Sequence, residues 1–269
     1  MIRSTTIASV VLVIGTASVP WADTGTSEPP RDVAATSAVE PAPQASPGDL
    51  GYQFVRVRYQ SYPGRRRNAW ATDYPTAEEN LHEAIERTTL LYLEGPPLVL
   101  PLTDDRIFEH PVLYLTEPGY WMTDDEEVAY LKKYLDRGGF LIIDDFHDYG
   151  RGRVGPQWNN MYDNIKQVFP DREPVELTAE HPIWSIYYDI DPDAAISTKN
   201  GGGRFGMRFG PLDDVYYGIF DDTGRMMVVI CYNQDIGDGW EWPGGRNLGE
   251  ASTVSFQMAI NFIIYALTH

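Results

Sequence analysis

Residues 111–148 read PVLYLTEPGYWMTDDEEVAYLKKYLDRGGFLIIDDFHD, and this stretch decides the fold class. Val112 to Thr116 is a short apolar run behind Pro111, with the length and the β-branched and aromatic content of a fully buried strand. Thr123 stands where a helix N-cap is needed, its hydroxyl accepting from the amide of Glu126 while that carboxylate reaches back. Asp124, Asp125, Glu126 and Glu127 put negative charge on the first turn, and Lys132, Lys133 and Arg137 put positive charge toward the end, both complementing the helix dipole. Val128, Leu131 and Leu135 share one face, flanked by Tyr134, and Gly138 and Gly139 supply a left-handed residue to end the helix. Phe140–Ile143 is then a second all-apolar strand. Strand, helix and strand in so short a span make a right-handed crossover of a parallel sheet. Side chains just past such a strand face the crevice where open α/β sheets bind ligands, and Asp144, Asp145, His147 and Asp148 occupy that position.

Upstream, Phe54–Tyr59 alternates as FVRVRY, which predicts a first strand with Val55, Val57 and Tyr59 on one face and Arg56 and Arg58 on the other. The following loop carries Arg65–Arg67, three arginines able to grip a carboxylate or phosphate, or simply to be solvated. A helix begins at Pro75 and Thr76, where Thr76 and Glu79 repeat the capping-box spacing and Leu81, Ala84, Ile85 and Thr88 form the buried side. PPLVLPL is a short strand, and Asp104–Phe108 is one helical turn.

Downstream, a glycine-rich RGRVGP loop precedes a helix over 157–168, with Met161, Ile165, Val168 and Phe169 toward the core. HPIWSIYYDI is open between helix and strand, and residues 199–211 form an irregular glycine-dense segment. Val215–Phe220 and Met226–Tyr232 flank Asp221-Asp222-Thr223-Gly224 as a hairpin, an antiparallel addition to a mainly parallel sheet. The chain closes with a helix over 253–267, which carries Gln257 and Asn261 and is a core helix rather than a membrane span.

Composition sets further bounds. The chain has 269 residues with 43% hydrophobic and 13% aromatic content, enough for one large α/β domain over 51–269. Residues 1–50 hold 2 of the 21 basic and 5 of the 39 acidic side chains, which leaves a net charge of −15 on the remainder. Such an excess argues against sequence-independent nucleic-acid binding, which needs a basic face. Arg3 and the apolar run Ile7–Ile14 predict a secretory signal peptide over 1–22, cleaved after Ala17 or Ala22, with an uncleaved membrane anchor as the competing reading. Residues 23–50, rich in Pro, Ala, Ser, Thr and Glu, read as a disordered tether. The chain is therefore expected to be exported, to the periplasm or cell envelope. Cys231, the only cysteine, reads as a small buried hydrophobe in a strand.

The elements FVRVRY, NAWATDYPTAEENL, HPVLYLTEPG, TDDEEVAYLKKYLDRGGFLIIDDF, EHPIW and GIFDDTGRMMVVICYNQDIGDGWEW, in this order and with the final helix, resemble the bacterial domain of unknown function 4159 over about 53–267. The resemblance implies an open, mainly parallel sheet with helices on both faces, of the flavodoxin-like or class I glutamine amidotransferase-like kind, and implies no established activity. In amidotransferase-like enzymes a Cys or Ser sits on the turn after a central strand; here that turn reads Asp144-Asp145-Phe146, so a nucleophilic hydrolase is not expected.

Two functions remain open. The first is a binding module with a ligand site at the strand ends lined by Asp73, Tyr74, Thr116, Glu117, Asp144, Asp145, His147, Asp235, Asp238, Trp240 and Glu241, where Tyr74, Trp240 and Trp242 can stack on a ring or sugar. The second is a metal-assisted hydrolase in which these carboxylates and His147 hold a divalent cation, although the spacing matches no established metal-binding loop. Asp144 is expected to be structural and Asp145 to face the pocket, since successive extended residues point opposite ways. The cofactor is not legible in the sequence, and the expected partner is a small molecule or a protein.

Overall fold

The computed structural model describes residues 51–62, 68–148, 155–192, 195, 215–244 and 249–269. The segments expected to be a signal peptide and a tether, Arg65–Arg67, most of the RGRVGP loop and the glycine-dense 199–211 segment lie outside the described residues.

Nine strands and five helices are assigned among the described residues. The strands are β1 (Val55–Arg58), β2 (Gln60–Ser61), β3 (Leu98–Pro101), β4 (Val112–Thr116), β5 (Trp121–Met122), β6 (Phe140–Asp144), β7 (Val175–Glu176), β8 (Val215–Phe220) and β9 (Met226–Tyr232). The helices are α1 (Thr76–Thr88), α2 (Asp125–Asp136), α3 (Pro156–Val168), α4 (Ile236–Glu241) and α5 (Gly249–Thr268). Seven strands form one sheet in the order β3-β1-β4-β6-β9-β8-β7, while β2 and β5 pair separately. β3, β1, β4, β6 and β9 are mutually parallel, and β8 and β7 add antiparallel at one edge. The chain runs outward from β1 to β3, then returns past β1 to β4 and continues the other way. That reversal between β1 and β4 is a topological switch point, the place where doubly wound sheets open a crevice at the strand C-termini.

Alternation along the central strands sorts the core into two layers. Val112, Tyr114, Phe140 and Ile142 pack with Leu81 and Ile85 of α1 and with Met258, Phe262 and Ile263 of α5. Leu113, Leu115, Leu141 and Ile143 pack on the other face with Leu131 and Leu135 of α2 and Met161 and Ile165 of α3. Strands buried on both faces read as continuous apolar runs, which is why β4 and β6 were plain in the sequence.

The expected elements are present, with corrections at the helix starts. The N-cap of α2 is Asp124, not Thr123: its carboxylate accepts from Glu127 N at 2.9 Å, and Glu127 Oε2 accepts from Asp124 N at 3.3 Å. Both residue pairs have capping-box spacing, but the Thr123 hydroxyl is turned away from the helix start, donating to Asn164 Oδ1 at 2.7 Å. Likewise α1 starts behind Pro75 with no side-chain cap: Thr76 is already inside the helix, and Glu79 N, the amide it was expected to serve, donates to Pro75 O at 3.1 Å. Gly138, at φ +105°, ends α2 as expected. The HPIWSIYYDI segment is neither a regular helix nor a strand: after a single 3-10 turn at Pro182–Trp184, its backbone is held by a side chain. Asn261 of α5 donates to Ile183 O and Tyr188 O at 2.8 and 2.9 Å and accepts from Tyr188 N at 2.8 Å. No helix among the described residues is long and apolar enough to cross a membrane.

Arg56 lies on the face of β1 opposite Val55 and Val57, as the alternation predicts, and that face is buried at Arg56. The strand lies second in the sheet and is covered by α1, so Arg56 is fully buried and forms an ion pair with Glu78 of that helix. Its guanidinium lies 5.0 Å from the Tyr114 ring centroid and donates through Nη1 to Trp70 O at 2.9 Å and Thr72 O at 2.8 Å. Arg56 thereby pins the loop that ends in Asp73.

Candidate functional site

Loops following the C-terminal ends of β1, β6 and β9 bring five carboxylates together. Asp73 comes from the β1–α1 connection, Asp145 follows β6, and Asp235, Asp238 and Glu241 lie on or beside α4 after β9. Carboxylate oxygens of Asp73, Asp145 and Asp235 lie within 4.8 Å of one another, and so do those of Asp73, Asp238 and Glu241. Asp73 belongs to both groups. All five residues were among those expected from the sequence to line the strand ends.

Local structure explains how each is presented. Asp73 and Asp145 adopt left-handed backbone conformations at φ 63° and 56°, as do Glu117 after β4 and Asn233 after β9, at 51° and 57°. These four are the non-glycine residues with positive φ among those described, and all sit at the same rim of the sheet. Asx residues tolerate this region better than most, and strained backbone gathers at functional sites. At Asp145 the turn redirects the side chain after the extended Asp144, and Thr116 Oγ1 donates to Asp145 Oδ2 at 3.3 Å. Asp235 caps α4, its Oδ1 accepting from Asp238 N at 2.9 Å. Asn80 of α1 donates to Trp240 O at 2.7 Å and so ties the end of α4 to α1.

Asp144 is structural. It is fully buried, and its carboxylate accepts from the Tyr114 hydroxyl at 2.9 Å, Ile236 N at 3.1 Å and Gly237 N at 3.0 Å. Burial pushes its carboxyl up to about 6 against the lowering effect of those donors. Gly237 must lack a side chain, since a Cβ there would lie 2.8 Å from the Tyr114 hydroxyl and 3.1 Å from Asp73 Oδ2.

The carboxylates repel one another in a partly desolvated place. Burial, followed by the charges of Asp145, Asp238 and Glu241, pushes Asp73 up to about 8, while Arg56 pulls it the other way. Asp235 is raised well above the ordinary carboxylate range, first by burial and then by Asp145 and Asp238. Such a cluster is relieved by protons or by a cation. Its donors are all oxygen, the set that suits Mg²⁺, Ca²⁺ or Mn²⁺ rather than Zn²⁺ or copper.

Other expected residues lie apart from the two carboxylate groups. Trp240 requires a correction: it is fully buried, its ring lies 5.2 Å from that of Tyr114 and 6.4 Å from that of Phe54, and Nε1 donates to Ser255 O at 2.9 Å, so it is a core residue and not a ligand platform. His147 joins neither carboxylate group, and burial lowers its pKa to about 4. Asp148 caps α3 by accepting from Gln157 N and Trp158 N, both at 2.9 Å. Glu117 is nearly buried, and its carbonyl accepts from the Tyr59 hydroxyl at 2.8 Å. Tyr74 and Trp242 remain exposed, at 39% and 37%. Sequence reasoning missed Arg56 and Gly237. The signals were a charge in a strand whose neighbours are apolar, and a glycine between two acids of the same loop.

Cys231 is fully buried in β9, and burial raises its thiol well above the ordinary value, so it offers no thiolate nucleophile.

An open α/β sheet with an acidic site at its C-terminal rim is the class that fold and geometry define. The chain belongs to the family described as Domain of unknown function (DUF4159), whose model matches residues 53–267. No curated protein matches the chain.

Proposed function

We propose that this chain is an exported binding module whose rim carboxylates hold a hard divalent cation of the Ca²⁺ or Mg²⁺ class, and that the cation presents an open face to a small-molecule or protein ligand. The supporting observation is the sharing of Asp73 between two carboxylate groups, each gathered within 4.8 Å at the strand C-termini. Tyr74 and Trp242, exposed on the loops that carry the acids, supply aromatic area for an organic ligand beside the cation. The net charge of −18 speaks against a nucleic-acid partner. The test is calorimetric titration of the chelator-treated chain with Ca²⁺, Mg²⁺ and Mn²⁺. One or two sites are expected, weakened at least tenfold in Asp73→Asn; absence of binding by all three ions would defeat the reading.

A second reading, metal-assisted hydrolysis, draws on the same shared residue, because a carboxylate common to two groups is placed to bridge two cations. In that case the Mn²⁺-loaded chain hydrolyses members of a panel of esters and phosphoesters, and Asp73→Asn abolishes the turnover. Cation binding without turnover on any of them leaves the binding module.

A further inference from the structure

We propose that the cavity at the opposite end of the sheet is a binding site for a small monoanionic molecule with a planar, apolar body. The cavity has a volume of about 480 Å³, within the range of small-molecule sites. It lies at the N-terminal ends of β1, β4 and β6, remote from the carboxylates, between the start of the described domain, the turn before β4, the end of α2 and the end of α5. Its wall is aromatic and aliphatic, formed by Tyr52, Tyr92, Phe108 and Leu267 among others, with Arg137 as the cationic group. Tyr92 and Leu267 are exposed at 57% and 40%, an unusual allowance of apolar surface beside one depression.

The lining carries one basic and one acidic side chain, Arg137 and Glu109, with Lys133 close to Arg137. Arg137 and Lys133 both lie over the Phe108 ring, at 5.2 and 4.7 Å from its centroid. Neither has a carboxylate partner among the described residues, whereas Arg87, Lys132 and Lys166 on the helices are each paired with one. A guanidinium over a ring without a carboxylate partner keeps donors for an anionic ligand, and the ring extends the apolar floor. Glu109 on the wall and the carbonyl end of α2 oppose further negative charge, which limits the ligand to a single anionic group.

The probe is 2-naphthoate, titrated into the full chain by calorimetry with amide chemical shifts recorded in parallel. One saturable site is expected, with the largest shifts at Tyr52, Gly138 and Gly139. Arg137→Gln should weaken it at least tenfold, Leu267→Trp should fill the cavity and abolish it, and the neutral isostere 2-naphthamide should bind at least tenfold more weakly. Thermal unfolding of both variants at the wild-type temperature certifies that they are folded. No saturable binding of naphthoate, equal affinity for the amide, or affinity unchanged in both folded variants would each overturn the proposal.

Discussion

Stripped of divalent cations, the protein should lose stability relative to its Asp73→Asn variant between pH 6.5 and 8.5. Burial lowers His82, His110, His147 and His181 below the ordinary histidine value, so near pH 6.5 their unfolded forms still bind protons and stability rises with pH through them in both proteins alike; Cys231 is raised out of the window, and the comparison isolates Asp73. Asp73 is different: its pKa is about 8 in the folded chain and near the ordinary carboxylate value when unfolded. The folded state thus holds a proton that the unfolded state has released. Its stabilising contribution is fully present below the unfolded pKa and is lost as pH rises through about 8. At about 1.4 kcal/mol per pH unit, the loss from 6.5 to 8.5 is about 2 kcal/mol for a fully desolvated group, and solvent screening of this partly exposed carboxylate reduces it to ~1 kcal/mol. Asp235, raised in the same direction, adds a loss of the same sign. For a domain of this size, ~1 kcal/mol lowers Tm by roughly 2–4 °C. Calorimetric unfolding of the chain and of Asp73→Asn in EDTA at pH 6.5, 7.5 and 8.5 measures the difference between their slopes, and millimolar Ca²⁺ or Mg²⁺ should offset the loss in the chain. A slope identical in Asp73→Asn would refute the electrostatic account of the rim.

Glu78→Ala strands the buried Arg56 charge and should destabilise the chain by about 3–5 kcal/mol in denaturant unfolding, far more than loss of the exposed Lys132–Asp136 pair. Gly237→Ala forces a methyl group toward the Tyr114 hydroxyl and Asp73 Oδ2, and should cost about 1–3 kcal/mol in thermal unfolding while weakening cation binding. Trp240→Ala should cost about 3–5 kcal/mol by urea titration, as expected of a core ring rather than an exposed platform. Asn261→Leu leaves Ile183 O and Tyr188 N and O without their side-chain partner; limited proteolysis should then show a cut within 182–190 that the wild type lacks.

The central crossover was legible because burial on both faces leaves no polar alternation in β4 or β6, and because Gly138 can hold a conformation that ends a helix. Carboxylates beyond a parallel strand face a crevice by topology alone, and this brought Asp73, Asp145, Asp235, Asp238 and Glu241 into one expectation before any coordinates. What escaped was local competition for partners. Two overlapping capping boxes preceded α2, and only the bond from Thr123 to Asn164 decides between them. The hexapeptide Ile236–Glu241 contains two glycines and has no helical periodicity, so α4 was unforeseen, and with it the turn that carries Trp240 inward. The burial of Arg56 was not legible because alternation in a strand does not say whether a helix lies over its polar side.

The four left-handed residues at the rim bear on how an occupant is received. Asp73, Glu117, Asp145 and Asn233 hold their unusual torsions within a sheet edge already fastened by Arg56, Tyr59, Thr116 and Asp148. An incoming ion thus meets a seat cast in advance. Little chain ordering accompanies its arrival, and association should proceed in one kinetic phase, with the amide signals of the rim moving but not sharpening from a disordered ensemble.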